Sequence, residues 1–228
     1  MDLEKQGQVN KLEIRTSVRA LVEFLLRSGD IDNRRIGAPE NAMQEGGRIH
    51  RMIQRRMGEG YEDEVFLRYQ HETPEYILTI EGRADGIFTE DNSDIRFIPE
   101  SLEDNLEIIA EEKRVTIDEI KGTYRNLDKI TKPVPEHLAQ AKMYAYIYAT
   151  QQELKTIRVR MTYCNIETEE IKFFYEEYTI YEITKWFMDI MEEYQKWADY
   201  ESAWRKLRQQ SIKQMEFPFE YREGQKQL

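Results

Sequence analysis

Three short stretches decide the fold of this chain: EGRADGI at residues 81–87, IDEIKG at residues 117–122, and QAKMY at residues 140–144. The first two are predicted to lie on β-strands, and each carries a carboxylate among apolar residues. The third is predicted to lie on a helix, where residues four apart share a face. Together they predict a polar site where two strands and one helix meet.

The side chains of these stretches suit metal-dependent hydrolysis of phosphodiesters. Side chains alternate between the two faces of a strand, so Glu119 and Lys121 point the same way and Asp118 points the opposite way. Carboxylates are the hard oxygen ligands that Mg²⁺ and Mn²⁺ prefer, and we expect Asp85 and Glu119 to be those ligands. The backbone carbonyl of Ile120 completes the predicted ligand set. Lys121 is predicted to hold the attacking water or the scissile phosphate.

The rest of the chain predicts helices and strands of the α/β class. Residues 1–15 are polar and predicted to be frayed at their start, Thr16 and Ser17 are predicted to cap the first helix, and Gly29 ends it. The single Cys164 is interpreted as a small buried core residue. The predicted strands are a three-stranded meander between residues 64 and 88, a short strand at 95–98, a strand at 115–121, and a hairpin at 156–163 and 170–178. Gly82 interrupts the second strand of the meander, which indicates a bulge or a close backbone approach. The predicted helices begin near residues 17, 39, 135 and 181.

The last of these helices is long, reaching about residue 209, and carries an aromatic stripe. Trp186, Trp197 and Trp204 all belong to that stripe at helical spacing. We interpret the stripe as core packing in preference to a platform on which nucleic-acid bases stack. The C-terminal helix is therefore predicted to pack on the sheet.

Composition restricts the partners of the chain. The formal net charge is -11 over 228 residues, so any DNA contact requires a local basic strip. A single cysteine excludes a Cys-ligated zinc or iron–sulfur site within one chain. No stretch approaches the ~20 apolar residues of a membrane span, and we expect a cytoplasmic monomer without membrane contact. The predicted DNA-binding residues are Arg34, Arg35, Arg48, Arg51 and Arg55.

The order of the motifs resembles the PD-(D/E)XK nucleases of the RecB type, which include nuclease domains fused to helicases. The matching residues are His50 in GRIH, Asp85 in GRADG, Glu119 and Lys121 in DEIK, and Gln140 with Tyr144. The resemblance implies a restriction-endonuclease-like core, with a central mixed β-sheet flanked by helices. It also implies that His50 is a metal ligand, although a histidine beside an apolar stripe is more often a core residue. Gln140 and Tyr144 would orient DNA and the lysine.

Two features depart from this resemblance and a third extends it. Many relatives of this type carry four cysteines that bind an iron–sulfur cluster, and this chain has one cysteine. An acidic insertion at residues 99–113 lengthens the spacing from Asp85 to Glu119. FPFEYREGQ at residues 217–225 resembles the opening of a DinG/XPD-like superfamily 2 helicase. The implied division is a nuclease domain over residues 1–180, a completing or linking helix over 181–210, and the start of a helicase domain over 211–228.

The sequence therefore predicts a deoxyribonuclease domain that uses Mg²⁺ or Mn²⁺. We expect it to act as an exonuclease on single-stranded DNA delivered by a helicase domain of the same polypeptide, in DNA repair or recombination. Two alternatives stay open. One is a catalytically silent DNA-binding module of the same fold, which would not need all six motif residues. The other is a protein-interaction domain without a nucleic-acid role, against which the arginine strip argues.

Overall fold

The computed structural model describes residues 11–27, 42–90, 114–215, 219–220 and 222–223. The predicted loop with Arg34 and Arg35, the strand at 95–98, the acidic insertion and most of the helicase-like segment lie outside these residues. The strands are β1 (Leu12–Ser17), β2 (Tyr61–Glu72), β3 (Tyr76–Glu90), β4 (Arg114–Thr123), β5 (Thr156–Asn165) and β6 (Ile171–Thr179). The helices are α1 (Val18–Leu26), α2 (Ala42–Arg56), α3 (Pro135–Gln151) and α4 (Ile180–Lys213), with a 3-10 turn at Leu127–Lys129.

The strands of the described residues form one mixed sheet. Its order is β1, β3, β4, β5, β6. β1 and β4 pair with successive parts of one edge of β3, and β2 pairs with the other edge. β1 runs parallel to β3, and β4 runs parallel to β5. The remaining pairs, β2 with β3, β3 with β4 and β5 with β6, are antiparallel. The predicted α/β class, the central mixed sheet and the long C-terminal helix are confirmed.

Helices flank both faces of this sheet. α1, α3 and α4 cover one face, where Ile117 of β4 belongs to the main core. α2 covers the other face, where its Ile49 and Ile53 pack against Ile120 and Cys164. Cys164 is fully buried, which confirms its interpretation as a core residue. The two faces of β4 therefore meet different helices, as the alternation of its side chains requires.

Local sequence signals account for where the helices begin. Ser17 caps α1, because its hydroxyl accepts a hydrogen bond from the backbone N–H of Ala20 at 3.0 Å. Pro135 lies in the first turn of α3, where its missing N–H costs no intrahelical bond. Thr179 and Glu182 form a reciprocal capping box at the start of α4. None of the helices in the described part of the chain is long and apolar enough to cross a membrane.

The strands differ from the prediction at two places. β1 was not predicted: residues 12–17 form a strand because Ile14 is buried and the strand pairs with residues 76–81 of β3, which are distant in sequence. The meander of three short strands is wrong, since β3 is continuous from Tyr76 to Glu90 and forms a two-stranded hairpin with β2. Gly82 marks a close approach of Tyr144 to the backbone, one of its two predicted roles.

The aromatic stripe of α4 is only partly a core feature. Phe187, near the start of the helix, is fully buried and stacks on Tyr146 of α3 at a centroid distance of 3.7 Å. Trp197 and Trp204 are each 53% exposed and line a surface groove with Phe24 of α1. The prediction that the whole stripe packs in the core is therefore wrong beyond its first half, because Ala198 and Ser202, and not the tryptophans, form the buried side of α4 in that region.

Candidate active site

Asp85 lies beside a gap in the sheet. The β3–β4 ladder ends at the pair Gly86 and Asp118, and β1 occupies the same edge of β3 only up to Glu81. In the gap, Oδ2 of Asp85 accepts a hydrogen bond from the backbone N–H of Ile120 at 2.7 Å. The carboxylate of the EGRADGI stretch is thus hydrogen-bonded to the backbone of the IDEIKG stretch.

The β2–β3 hairpin is distorted at this point. Ala84 and Ile87 both face the main core although they are three residues apart, so the alternation of side chains changes at Asp85. Glu64 lies across from Asp85 on β2 and has a φ of 52°, a conformation that non-glycine residues rarely adopt. Backbone strain of this kind is concentrated at functional sites, and here it accompanies two converging carboxylates.

His50 reaches this site from α2. Its Nδ1 lies 3.3 Å from Oδ1 of Asp85, and Gln54, one turn further along the helix, donates a hydrogen bond to the Asp85 carbonyl at 2.9 Å. Burial is the largest single effect on His50 and lowers its pKa, but the hydrogen bond to Asp85 and the negative charge of Asp85 together raise the pKa overall. Ligand atoms of His50, Glu64 and Asp85 all lie within 4.8 Å of one another. Sequence reasoning missed Glu64, which is one acid among many and carries no motif.

Glu119 and Lys121 lie on the face of β4 that turns towards α3. Nζ of Lys121 donates a hydrogen bond to Oε1 of Glu119 at 2.6 Å. Oε2 of Glu119 has no hydrogen-bond partner within the described residues, although the side chain is fully buried. Burial and then repulsion from Asp85 raise the pKa of Glu119 well above its usual range. Burial is the largest single effect on Lys121 and lowers its pKa, but the attraction of Glu119, the hydrogen bond to it and the charge of Asp85 together raise the pKa overall.

Gln140 and Tyr144 of α3 complete this side of the site. Both side chains share a face of the helix, one turn apart, as predicted. A Cβ atom on Gly82 would lie 2.5 Å from the Tyr144 hydroxyl, so only glycine allows this approach of helix to strand. Burial, followed by the charge of Glu119, raises the pKa of Tyr144 and keeps the phenol protonated.

Asp118, on the opposite face of β4, belongs to a separate buried network. Its two carboxylate oxygens accept hydrogen bonds from Nε and Nη2 of Arg160 at 3.0 and 2.6 Å. Thr162 and Tyr61 donate two more, at 2.5 and 2.9 Å. A Cβ on Gly86 would collide with the Tyr61 ring at 1.9 Å. The second glycine of the GRADG motif therefore makes room for this network.

The structure brings together most, but not all, of the predicted site residues. Arg48 does not join the site: it bonds to Glu45, to Glu169 and to the carbonyl of Ile166 at the β5–β6 turn. Arg51 and Arg55 are exposed on α2. Glu119 does not fall within the 4.8 Å group of His50, Glu64 and Asp85. Of the predicted DNA-binding residues, Arg34 and Arg35 lie outside the described part of the chain.

Comparisons with other proteins add little to this chemistry. No protein-family model matches the chain, and no curated protein matches it. Among solved structures it is similar to a chain described as "Crystal structure of SSO0001", with 15% sequence identity and a TM-score of 0.44. That similarity covers 78% of this chain and 75% of the other. A similarity this distant carries no argument about function, which must rest on the site itself.

Proposed function

We propose that this chain is a cytoplasmic, metal-dependent deoxyribonuclease domain that hydrolyses phosphodiester bonds in single-stranded DNA. One observation carries the proposal. At the gap between β3 and β4 the carboxylates of Asp85 and Glu119 are close enough for the charge of Asp85 to raise the pKa of Glu119, after the larger effect of burial, and one buried oxygen of Glu119 has no partner among the described residues. An unpaired buried carboxylate oxygen is costly, so its retention favours a ligand that is present when the protein works.

The donor set fits a divalent cation. His50, Glu64 and Asp85 offer one imidazole and two carboxylates within 4.8 Å, and Glu119 supplies the unpaired oxygen nearby. Carboxylate oxygens suit Mg²⁺ and Mn²⁺, and an imidazole is a common further ligand. We therefore propose His50, Asp85 and Glu119, with the carbonyl of Ile120, as the residues that hold the ion. When bound there, Mg²⁺ or Mn²⁺ supplies charge neutralisation at a phosphoryl group.

The remaining residues have roles that follow from their contacts. Lys121 keeps 23% of its side chain exposed, so its ammonium is placed to hold the attacking water or a phosphoryl oxygen. Tyr144 stays protonated and lies close to both Glu119 and Gly82, which makes it a hydrogen-bond donor to substrate or water. Gln140 lies one turn before Tyr144 on the same face of α3, and we propose that it orients the phenol. In this proposal these groups position the substrate and the attacking water and neutralise the charge of the phosphoryl group, which is most of what phosphodiester hydrolysis requires.

The substrate and its delivery rest on the sequence resemblance. The helicase-like segment at residues 217–225 supports a helicase domain as a partner in the same polypeptide. A helicase releases single strands, so a single strand is the substrate we propose. The exonuclease mode belongs to the same proposal.

Digestion of end-labelled DNA tests the proposal. Single-stranded and duplex probes are incubated with the full chain and Mg²⁺ or Mn²⁺, with and without chelator. We expect cleavage of the single strand that chelator abolishes and that Asp85→Asn or Lys121→Met slows by about 100-fold or more.

Glu81→Gln provides the matched control. Glu81 lies on the same strand as Asp85 but pairs with Arg68 at 3.0 Å, outside the candidate site. That variant should cut at the rate of the unmodified chain. DNA binding without any metal-dependent cleavage would replace the nuclease proposal with the silent DNA-binding module.

A further inference from the structure

A second polar groove adjoins the candidate site between α1 and α3. It has a volume of about 380 Å³, and Val22 and Val134 provide its apolar lining. Its hydrogen-bonding groups come from α1, from the residue that follows α1, and from α3. They are Arg19, Glu23, Arg27, Glu136, His137 and Gln140.

The groove adjoins the site at Gln140, which lines the groove and lies one helical turn before Tyr144 on α3. Charge links the two as well. The positive charge of Arg19 acts on Lys121, and the negative charge of Glu119 raises the pKa of Arg19 after the larger effect of Glu23. A strand whose scissile phosphate lies beside Lys121 would therefore pass Arg19 next.

We infer that this groove binds the nucleotide adjacent to the scissile phosphodiester, with Arg19 as the ligand of its phosphate. The inference rests on the nuclease proposal and extends it to a substrate subsite. A volume of about 380 Å³ lies in the range of small-ligand pockets, which fits one nucleotide of a single strand and not a duplex. Arginine binds phosphate oxygens through paired N–H groups, a stronger contact than a neutral hydrogen bond.

In the protein without DNA, Arg19 forms an ion pair with Glu23. Nε of Arg19 donates a hydrogen bond to Oε1 of Glu23 at 2.7 Å, one helical turn away, and both side chains are more than half exposed. Exposed ion pairs of this kind are weak, so a phosphate can take the place of the carboxylate. Glu23 also lies close enough to Lys121 for Lys121 to lower its pKa, after the larger effect of Arg19. Glu23 is thus a competitor of the phosphate in this groove.

Binding of a labelled single strand tests the inference. The probe is 5′-labelled oligothymidylate, measured by fluorescence anisotropy with the full chain in Ca²⁺ at several salt concentrations, after confirming that the probe stays intact. Arg19→Ala should raise Kd by about tenfold and make the slope of log Kd against log salt shallower by about 0.7. Glu23→Gln should lower Kd severalfold, because it removes the competing charge.

Arg205→Ala is the matched control. Arg205 makes the same kind of ion pair with Glu201, one turn away, but on α4 and outside this groove. We expect the Arg205→Ala variant to bind the labelled single strand with the same Kd and the same salt slope as the unmodified chain. Equal effects of Arg19→Ala and Arg205→Ala, in a protein that still cleaves DNA with metal, would overturn the subsite and leave the nuclease proposal standing. Absence of cleavage with the Arg19 effect intact would contradict only the nuclease proposal.

Discussion

Asp118 and Glu119 are neighbours on β4 and are both fully buried, yet their hydrogen bonding differs. Asp118 accepts four hydrogen bonds, two of them from Arg160. Glu119 accepts one from Lys121, and its second oxygen has none within the described residues. The two side chains point to opposite faces of one strand. On one face both carboxylate oxygens of Asp118 are hydrogen-bonded, and on the other face one oxygen of Glu119 has no partner among the described residues.

This difference separates a structural carboxylate from a functional one better than burial does. A buried charge whose hydrogen bonds are all satisfied contributes to a unique packing of the strands that supply its partners. A buried charge with an open oxygen costs stability in the free protein and needs a further reason to be there. For Glu119 that reason, in our proposal, is the cation that it shares with Asp85.

The largest change in stability is expected for Asp118→Asn. The amide replaces one accepting oxygen by a donor, which leaves the buried guanidinium of Arg160 partly unpaired. Removing one partner of a buried ion pair costs about 3–5 kcal/mol, and we expect the free energy of unfolding to fall by that amount. Urea denaturation measures it. A loss below about 1 kcal/mol would contradict the distinction between a structural Asp118 and a functional Glu119, because Asp118 would then contribute little to stability.

A loss of metal affinity at the candidate site is expected when His50 is removed. His50→Ala should weaken Mn²⁺ binding by about 10- to 100-fold, because the imidazole ligand beside Asp85 is lost while the core is not touched. Isothermal titration with Mn²⁺ measures the affinity, and the melting temperature is recorded alongside. His71→Ala is the control, since His71 lies in β2 at the far end of the hairpin. Unchanged Mn²⁺ binding with a large drop in melting temperature would return His50 to a core role.

A smaller, pH-dependent effect is expected at His137, which lies on the same face of the sheet as Glu119. Burial lowers the pKa of His137 to about 4, below its ordinary value of 6.5. Between these values the unfolded chain binds more protons than the folded one, so stability is present above pH 6.5 and is lost as pH falls towards 4. With allowance for its partial exposure, the loss should be about 1–2 kcal/mol.

Comparing denaturation curves of the unmodified chain and His137→Gln at pH 7 and pH 4.5 isolates this contribution. The variant should lose less stability on acidification. The same loss in both proteins would show that His137 is not held neutral by the fold.

The smallest change in stability is expected for Glu119→Gln, although its effect on cleavage should be large. The amide oxygen can still accept the hydrogen bond of Lys121, and a buried charge is removed, so the free energy of unfolding should change by less than about 1 kcal/mol. Cleavage should be lost with the metal ligand. A destabilisation as large as that of Asp118→Asn would erase the difference between the two faces of β4.

The sequence predicted the parts of this arrangement that depend on local periodicity. Alternation along β4 placed Glu119 and Lys121 opposite Asp118, and the four-residue spacing placed Gln140 with Tyr144 on α3. Both follow from the geometry of a single element. The Ser17 cap, the bounds of α3 and the bounds of the β5–β6 hairpin were also predicted from neighbouring residues alone.

What the sequence did not predict depends on contacts between distant residues. β1 forms because Leu12–Ser17 finds a parallel partner on β3, which no local pattern signals. Gly82 was predicted to mark a bulge or a close backbone approach, and the close approach by Tyr144 is present, but the strand it interrupts in the prediction is continuous. Glu64 joins His50 and Asp85 only because the hairpin is distorted at that position. Trp197 is exposed because Ala198 and Ser202 form the buried side of α4 in that region.

The most direct test of the central claim is the position of Mn²⁺ in crystals of the protein soaked with that ion, located by anomalous diffraction. We expect a peak about 2.0–2.4 Å from carboxylate oxygens of both Asp85 and Glu119, with the formerly unpaired Oε2 of Glu119 among the ligands. A site filled through His50, Glu64 and Asp85 without Glu119 would contradict the role assigned to the open carboxylate. Mn²⁺ bound only at other acidic residues would contradict the candidate active site as a whole.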